Sequence, residues 1–281
     1  MALPRQRLRN SHSMPAYRHA ALLFVLGCGP VVSTVRQPLP ITIEGAAPQP
    51  GAAASASPPS SRMPRFLDPS SLAFEAEIEA FEATDRQKPP VPGGTLFVGS
   101  SSIRGWHSLE HEFSEYGALN RGFGGSSVRN VFDYADRIVI PYRPKRILLF
   151  AGSNDIHAGI LPLQVAADFD AFVKRVWETL PGTPIAFISI TTSPSRFAEV
   201  ARVKDANRLI GAYISKDPHL AYIDIFSQLL KPDGTPNHAF YAEDGLHPND
   251  NGYEVWSKAI REFLNAQRPG IATEPKPSPR E

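Results

Sequence analysis

The sequence predicts an α/β fold with three layers, in which a parallel sheet of about five strands lies between helices. Two observations carry this prediction. Short, mostly apolar runs recur along the chain, and segments with helical spacing of apolar residues separate them. Such runs are typical of strands that are buried on both faces. Strands that alternate with helices favour a parallel sheet covered on both sides.

The strands and helices are expected in a regular order. The clearest strand candidates are residues 95–98, 146–150, 184–190 and 220–225, with a shorter one at 117–120. Helical spacing is found at residues 72–86, 128–138, 163–180, 197–214 and 251–265. In sheets of this kind, functional residues collect beyond the carboxyl ends of the strands. A site is therefore expected in the loops that follow the strands.

The N-terminal segment has the pattern of a bacterial export signal. Four arginines precede an apolar run at residues 20–27, which ends at Cys28, the single cysteine of the chain. The run is too short for a stable membrane anchor but suits an export signal. Residues 25–28, Val-Leu-Gly-Cys, resemble the lipobox of lipoproteins, which implies lipidation of Cys28 and a place in the cell envelope, anchored to the membrane and facing the periplasm. Two alternatives stay open: Met14 as the true start, and Cys28 as a core residue behind a wrongly assigned N-terminus.

Composition sets the domain boundaries and excludes some partners. We expect a signal at residues 1–28, a disordered tether rich in Pro, Ala and Ser at 29–66, one globular domain at 67–268 and a disordered tail at 269–281. One cysteine excludes an internal disulfide. The net charge of +1 gives no electrostatic reason to expect a nucleic-acid partner.

Serine, aspartate and histidine occur where a nucleophilic site would need them. A Gly-Ser-Ser-Ser segment at residues 99–102 follows the first strand, and Asp244 and His247 lie near the end of the domain. A serine becomes a nucleophile at neutral pH when an imidazole takes its proton, and a carboxylate fixes the tautomer of that imidazole. Ser101 is our candidate nucleophile, with Ser100 and Ser102 as rivals. Taken alone, the serine segment also fits a turn that caps a helix.

Four segments in order resemble the blocks of the SGNH (GDSL-like) hydrolase family. They are residues 99–102, 122–126, 152–155 and 244–247, and the resemblance covers about residues 95–265. The family implies a flavodoxin-like fold, with Ser101 as nucleophile, His247 as general base and Asp244 as its orienting carboxylate. It also implies an oxyanion hole made of the backbone N–H groups of Ser101 and Gly125 and the side-chain amide of Asn154.

The implied activity is that of a serine esterase that needs no metal or cofactor. We expect carboxylic esters with short-chain or acetyl groups, and a small-molecule or glycan ester as the partner. Acetylated sugars and lysophospholipids are the esters that a lipoprotein at a bacterial envelope would meet. The sequence departs from the family at Ser100, where an Asp usually precedes the nucleophile. That departure motivates the alternative of a catalytically weak carbohydrate- or lipid-binding protein on the same fold.

Two further patterns point to other chemistry. His107, Glu110 and His111 fit the H-x-x-E-H pattern of some zinc peptidases, but no third ligand is marked downstream, so a solvated helix face is the preferred interpretation. The glycines at 122–125 faintly resemble a dinucleotide-binding loop, although they follow the second strand and lack a well-placed acidic residue for a ribose.

Overall fold

The structure is a computed structural model that describes residues 67–267. The signal and lipidation site expected around Cys28, the tether at 29–66 and the tail at 269–281 lie outside the described residues. Among residues 67–267, no helix combines the length and apolar character needed to cross a bilayer.

A parallel sheet of five strands forms the centre of the fold. The strands are β1 Thr95–Gly99, β2 Leu119–Gly122, β3 Arg146–Phe150, β4 Ile185–Ile188 and β5 Leu220–Ile223. Their order across the sheet is β2-β1-β3-β4-β5, and every neighbouring pair is parallel. This is the flavodoxin-like order of a doubly wound sheet. The fold class expected from the sequence is therefore confirmed.

Helices cover both faces of the sheet. The α-helices are α1 Glu75–Gln87, α2 Ser101–Arg104, α3 Leu109–Glu112, α4 Val128–Asp133, α5 Ala135–Ile138, α6 Ser153–His157, α7 Pro162–Thr179, α8 Val200–Ile214 and α9 Asp250–Ala266. Alternate residues of β1 belong to two different hydrophobic clusters, one on each face of the sheet. Leu96 and Val98 pack with α1, α4, α5, α7 and α8, whereas Phe97 packs with α2, α3 and α9. Because successive strand side chains point to opposite faces, a strand covered on both sides, such as β1 or β4, is apolar at almost every position.

Several expected boundaries differ from the structure for local reasons. The strand expected at 117–120 begins two residues later, because Gly117 adopts a left-handed conformation (φ 61°) that ends a short 3₁₀ helix. The helix expected at 128–138 is divided into α4 and α5 at Tyr134. The segments expected to begin helices at 72 and 197 first form 3₁₀ turns, at Pro69–Phe74 and Pro194–Glu199.

Candidate active site

The end of β1 places Ser101 at the carboxyl edge of the sheet. Gly99 has φ 141°, and a side chain there would meet the carbonyl oxygen of Phe150 at 1.9 Å, so only glycine fits. The N–H of Ser100 donates to that carbonyl at 2.9 Å. The chain then turns, and α2 begins at Ser101. The close approach of β1 to β3 therefore fixes the direction in which the serine segment leaves the sheet.

Packing distinguishes the three serines of this segment. Ser100 and Ser102 are buried, while Ser101 is partly exposed. The hydroxyl Oγ of Ser101 lies 3.0 Å from Nε2 of His247. The geometry thus favours Ser101 over its two neighbours as the nucleophile. Helix α2, which begins at Ser101, has only four residues, so its dipole contributes little at this position.

Asp244 and His247 are held together by one tight turn. Oδ2 of Asp244 lies 2.6 Å from Nδ1 of His247, and its Oδ1 accepts the backbone N–H groups of Leu246 and His247 at 2.8 and 3.0 Å. The turn is closed by Gly245, which adopts φ 61° and donates its N–H to the carbonyl of Ala242. Three acceptor contacts on one carboxylate favour its charged form.

The charge state of Asp244 determines the tautomer of His247. The hydrogen bond from the His247 ring, followed by the backbone donors, lowers the pKa of Asp244 to about 2. An ionised carboxylate only accepts hydrogen bonds, so Nδ1 of His247 carries the proton. In the neutral ring Nε2 is then an acceptor, and it faces the Ser101 hydroxyl. This is the arrangement in which an imidazole can remove the serine proton.

Asn154 is fixed on both sides of its amide. It lies in α6, which begins after Gly152 at the end of the β3 segment. Its Nδ2 donates to the carbonyl of Ser126 at 3.0 Å, and its Oδ1 accepts from Nη1 of Arg196 at 3.0 Å. These two partners define which end of the amide is nitrogen. Gly125 precedes Ser126 in the loop after β2, and it is exposed with φ 80°.

Asp155 joins two of the loops that carry the expected site residues. Its carboxylate is buried (2% exposed) and accepts the N–H of Val128, the first residue of α4, at 3.1 Å. Removal from solvent raises the pKa of Asp155 to about 6. The contact ties the loop after β3, which bears Asn154, to the loop after β2, which bears Gly125.

The resulting cleft is small and mostly polar. It is lined by Ser100, Ser101, Ser102, Phe150, Ser153, Asn154, Thr191, Ser193, Arg196, Leu246 and His247. Its volume of about 20 Å³ is close to what a single water molecule needs. A larger cavity of about 880 Å³ borders Thr95 and Arg146, at the amino ends of the strands. None of the expected catalytic or oxyanion-hole residues lines this cavity. The candidate site is therefore identified by the side chains that line the small cleft, not by the volume of the cavity.

The structure brings most of the expected residues together and adds others. Ser101, Asn154 and His247 share the cleft, and Asp244 reaches it through His247. Gly125 is not among the cleft residues, although its neighbour Ser126 contacts Asn154. Sequence reasoning missed Arg196 and the segment 191–193. The polar Thr-Thr-Ser that follows the strand expected at 184–190 was the available signal.

In the zinc-peptidase pattern, His107 and His111 are exposed, and Glu110 has a structural contact. Glu110 accepts the backbone N–H of Asn120 at 2.8 Å, which links α3 to β2. Within residues 67–267, no group of three or more His, Cys, Asp or Glu side chains is arranged to hold a metal ion.

The fold and the cleft define a class of proteins: doubly wound α/β proteins with Ser, His and Asp at the carboxyl edge of the sheet. The model of the GDSL-like lipase/acylhydrolase family matches residues 93–255, more than half of the 281-residue chain. The chain therefore belongs to this family, as the resemblance of its four blocks implied.

Solved structures show the same fold at low identity. A GDSL-like lipase from Bacteroides thetaiotaomicron is 16% identical with a TM-score of 0.61, over 69% of this chain and 99% of that one. A Streptococcus pneumonia protein, described as a candidate platelet activating factor, is 21% identical with a TM-score of 0.59, over 69% and 94%.

A third similar structure is a mutant of an acetyl-xylooligosaccharide esterase from Geobacillus Stearmophilus. It is 14% identical with a TM-score of 0.50, over 66% of this chain and 99% of that one. Comparison with curated proteins gave no match.

Proposed function

We propose that this protein is a serine esterase in which Ser101 is the nucleophile, His247 the general base and Asp244 the carboxylate that orients the base. One observation carries the proposal. A continuous path of two contacts, 2.6 Å and 3.0 Å long, runs from the Asp244 carboxylate through the His247 ring to the Ser101 hydroxyl. His247 is three positions from Asp244 but 146 positions from Ser101 in the sequence, so the path exists only in the folded chain.

The reaction proceeds through an acyl-enzyme. As Oγ of Ser101 attacks the ester carbonyl carbon, its proton passes to Nε2 of His247, and the carbonyl oxygen becomes negatively charged. The imidazolium then gives this proton to the departing alcohol oxygen, which leaves the acyl group on Ser101. Water repeats the sequence: it gives a proton to His247, attacks the acyl carbon and releases the acid as Oγ recovers its proton.

Hydrogen-bond donors at the cleft stabilise the charged oxygen. The candidates are the N–H groups of Ser101 and Gly125 and one N–H of the Asn154 amide. The amide of Asn154 is already oriented by Ser126 and Arg196, so little reorganisation is needed when charge develops.

The preferred acyl groups are short, with acetyl as the leading candidate. The cleft beside Ser101 is narrow and lined largely by hydroxyl and amide side chains, which disfavours a long hydrocarbon chain. The name of the Geobacillus esterase, which has the same fold, refers to an acetylated oligosaccharide. Acetylated sugars are therefore the substrate class to examine first.

Hydrolysis of 4-nitrophenyl esters by the full-length protein tests the proposal. We expect Ser101→Ala to lower kcat by roughly 10⁴-fold or more, because the nucleophile is lost. Ser215→Ala removes an exposed hydroxyl at the end of α8 and is the matched control. Labelling with a fluorophosphonate and peptide mass spectrometry would identify which of the three serines reacts.

The acyl length is tested with acetate, butyrate and octanoate esters in the same assay. We expect kcat/KM to fall as the chain lengthens, and equal or rising values would contradict the preference for short groups. A binding protein without catalytic function would give the same rate for wild type and Ser101→Ala, which would refute the esterase itself.

A further inference from the structure

Arg196 is the one arginine side chain among the residues that line the cleft. It belongs to the 3₁₀ segment Pro194–Glu199, which follows β4, and its side chain is partly buried. The cleft residues around it include Ser101 and His247. A cation is thus positioned at the wall of the site where an ester would bind.

One nitrogen of the guanidinium donates hydrogen bonds to two uncharged side chains. Nη1 donates to the hydroxyl of Ser153 and to Oδ1 of Asn154, both at 3.0 Å. Within residues 67–267, neither Nε nor Nη2 makes a hydrogen bond, and no carboxylate lies within ion-pair distance of the group. Glu199 is the acid whose charge acts on Arg196, but its carboxylate contacts Nδ1 of His157 at 2.7 Å instead of the guanidinium.

Three other arginines with buried or partly buried side chains are paired with acids. Arg121 contacts Asp85, and Arg175 contacts Asp136. Arg137 lies between two glutamates at 2.5 and 2.6 Å. Arg196 has no such partner among the described residues, and its partial burial lowers the pKa of its guanidinium. An arginine keeps its charge at neutral pH, so a bound anion would compensate a charge that no carboxylate contacts here.

We propose that the free edge of Arg196 binds an anionic group, a carboxylate or a phosphate, on the ester substrate. The inference rests on the proposed esterase function and narrows its substrate class to negatively charged esters. Nε and Nη2 form one planar edge of the guanidinium, and such an edge matches two oxygens of a carboxylate or phosphate. The hydrogen bond from Nη1 to Asn154 holds the guanidinium at the wall of the cleft while Nε and Nη2 stay available to a ligand.

A pair of acetate esters, one anionic and one neutral but close in size, tests the inference. The full-length protein would be assayed with 4-acetoxybenzoate and with 4-acetoxybenzamide, in which the acetate is the one ester bond, and the kcat/KM values for acetate release would be compared. We expect the wild type to favour the carboxylate ester by about ten-fold or more, which is the worth of a hydrogen bond to a charged group. 4-Acetoxyphenyl phosphate in a parallel assay shows whether phosphate is preferred to carboxylate.

Arg196→Gln should bring the ratio of the two kcat/KM values close to one. The rate with the neutral ester separates this effect from any disturbance of Asn154, which would slow both esters alike. Arg196→Lys keeps the charge without the planar edge and should retain part of the preference. Arg208→Gln, on the exposed surface of α8, is the matched control and should leave the ratio unchanged.

The outcomes separate this inference from the esterase proposal. Equal rates for both esters in the wild type, or a preference that survives in Arg196→Gln, would overturn the anion site while leaving the esterase intact. If the wild type hydrolyses neither ester faster than Ser101→Ala does, the esterase proposal fails. A binding measurement then tests the anion site on its own. Calorimetry with 4-acetamidobenzoate, an amide analogue, should then show binding to wild type that Arg196→Gln abolishes; no binding to wild type refutes the site.

Discussion

Replacement of Asp155 by asparagine should change how the stability of the protein depends on pH. The wild-type carboxylate is buried between two loops of the site and accepts the N–H of Val128 at 3.1 Å. Asparagine has nearly the same shape and keeps one oxygen for that contact, but it carries no charge. The substitution therefore isolates the cost of burying a charged carboxylate at this position.

The size and sign of the effect follow from the pKa. Burial raises the pKa of Asp155 from 3.8 to about 6, so the folded state holds its proton over a range in which the unfolded state has lost it. This corresponds to about 3 kcal/mol of stability that is present below pH 3.8 and lost as pH rises through 6. About 2 kcal/mol of the change falls between pH 4.5 and 8.

Urea unfolding followed by tryptophan fluorescence measures this effect. The free energy of unfolding of Asp155→Asn minus that of the wild type should rise by about 2 kcal/mol from pH 4.5 to pH 8. Subtraction removes the contributions of all other groups. Ser215→Ala, an exposed change at the end of α8 that removes no titratable group, should give a difference that does not vary with pH. A constant difference for Asp155→Asn, or one that falls with pH, would refute the reasoning.

Two further predictions concern catalysis. Asp244→Asn should lower kcat by roughly 10⁴-fold, because an amide no longer holds the proton on Nδ1 of His247. Because the contact with His247 lowers the pKa of Asp244 to about 2, the wild-type carboxylate stays charged at neutral pH, and an Asp244→Asn variant as active as the wild type in steady-state assays at pH 8 would contradict the role. Asn154→Ala should lower kcat by ~10²–10³-fold with a smaller change in KM. A variant in which KM rises while kcat stays unchanged would show instead that Asn154 binds the substrate in its ground state.

The sheet was predictable because its strands are buried on both faces. Side chains of successive residues in the central strands enter two different hydrophobic clusters, so these strands read as mostly apolar runs. The strand at 146–150 was expected with the same bounds as β3. The weakest expectation, at 117–120, concerned edge strand β2, in which Leu119 and Asn120 are only partly buried and the pattern is less distinct.

The site was predictable where a short motif carries the chemistry. Asp244 and His247 are three residues apart, and a single turn is enough to join them. The choice among the three serines was not determined by the motif, because it depends on how the end of β1 packs against Phe150. Arg196 could not be found from sequence, since it contacts Asn154 across 42 positions and belongs to no short pattern.

The loop at residues 242–247 has a consequence for how such a site can be disabled. Asp244 and His247, the proposed carboxylate and general base, both belong to this loop and keep their mutual contact through hydrogen bonds internal to it. The serine belongs to the sheet edge, and one 3.0 Å contact spans the two parts. A rigid displacement of the loop by a single ångström or so would therefore leave an intact, correctly protonated imidazole that no longer reaches the hydroxyl. Inactive variants of this kind would unfold like the wild type and retain the Asp244–His247 pair.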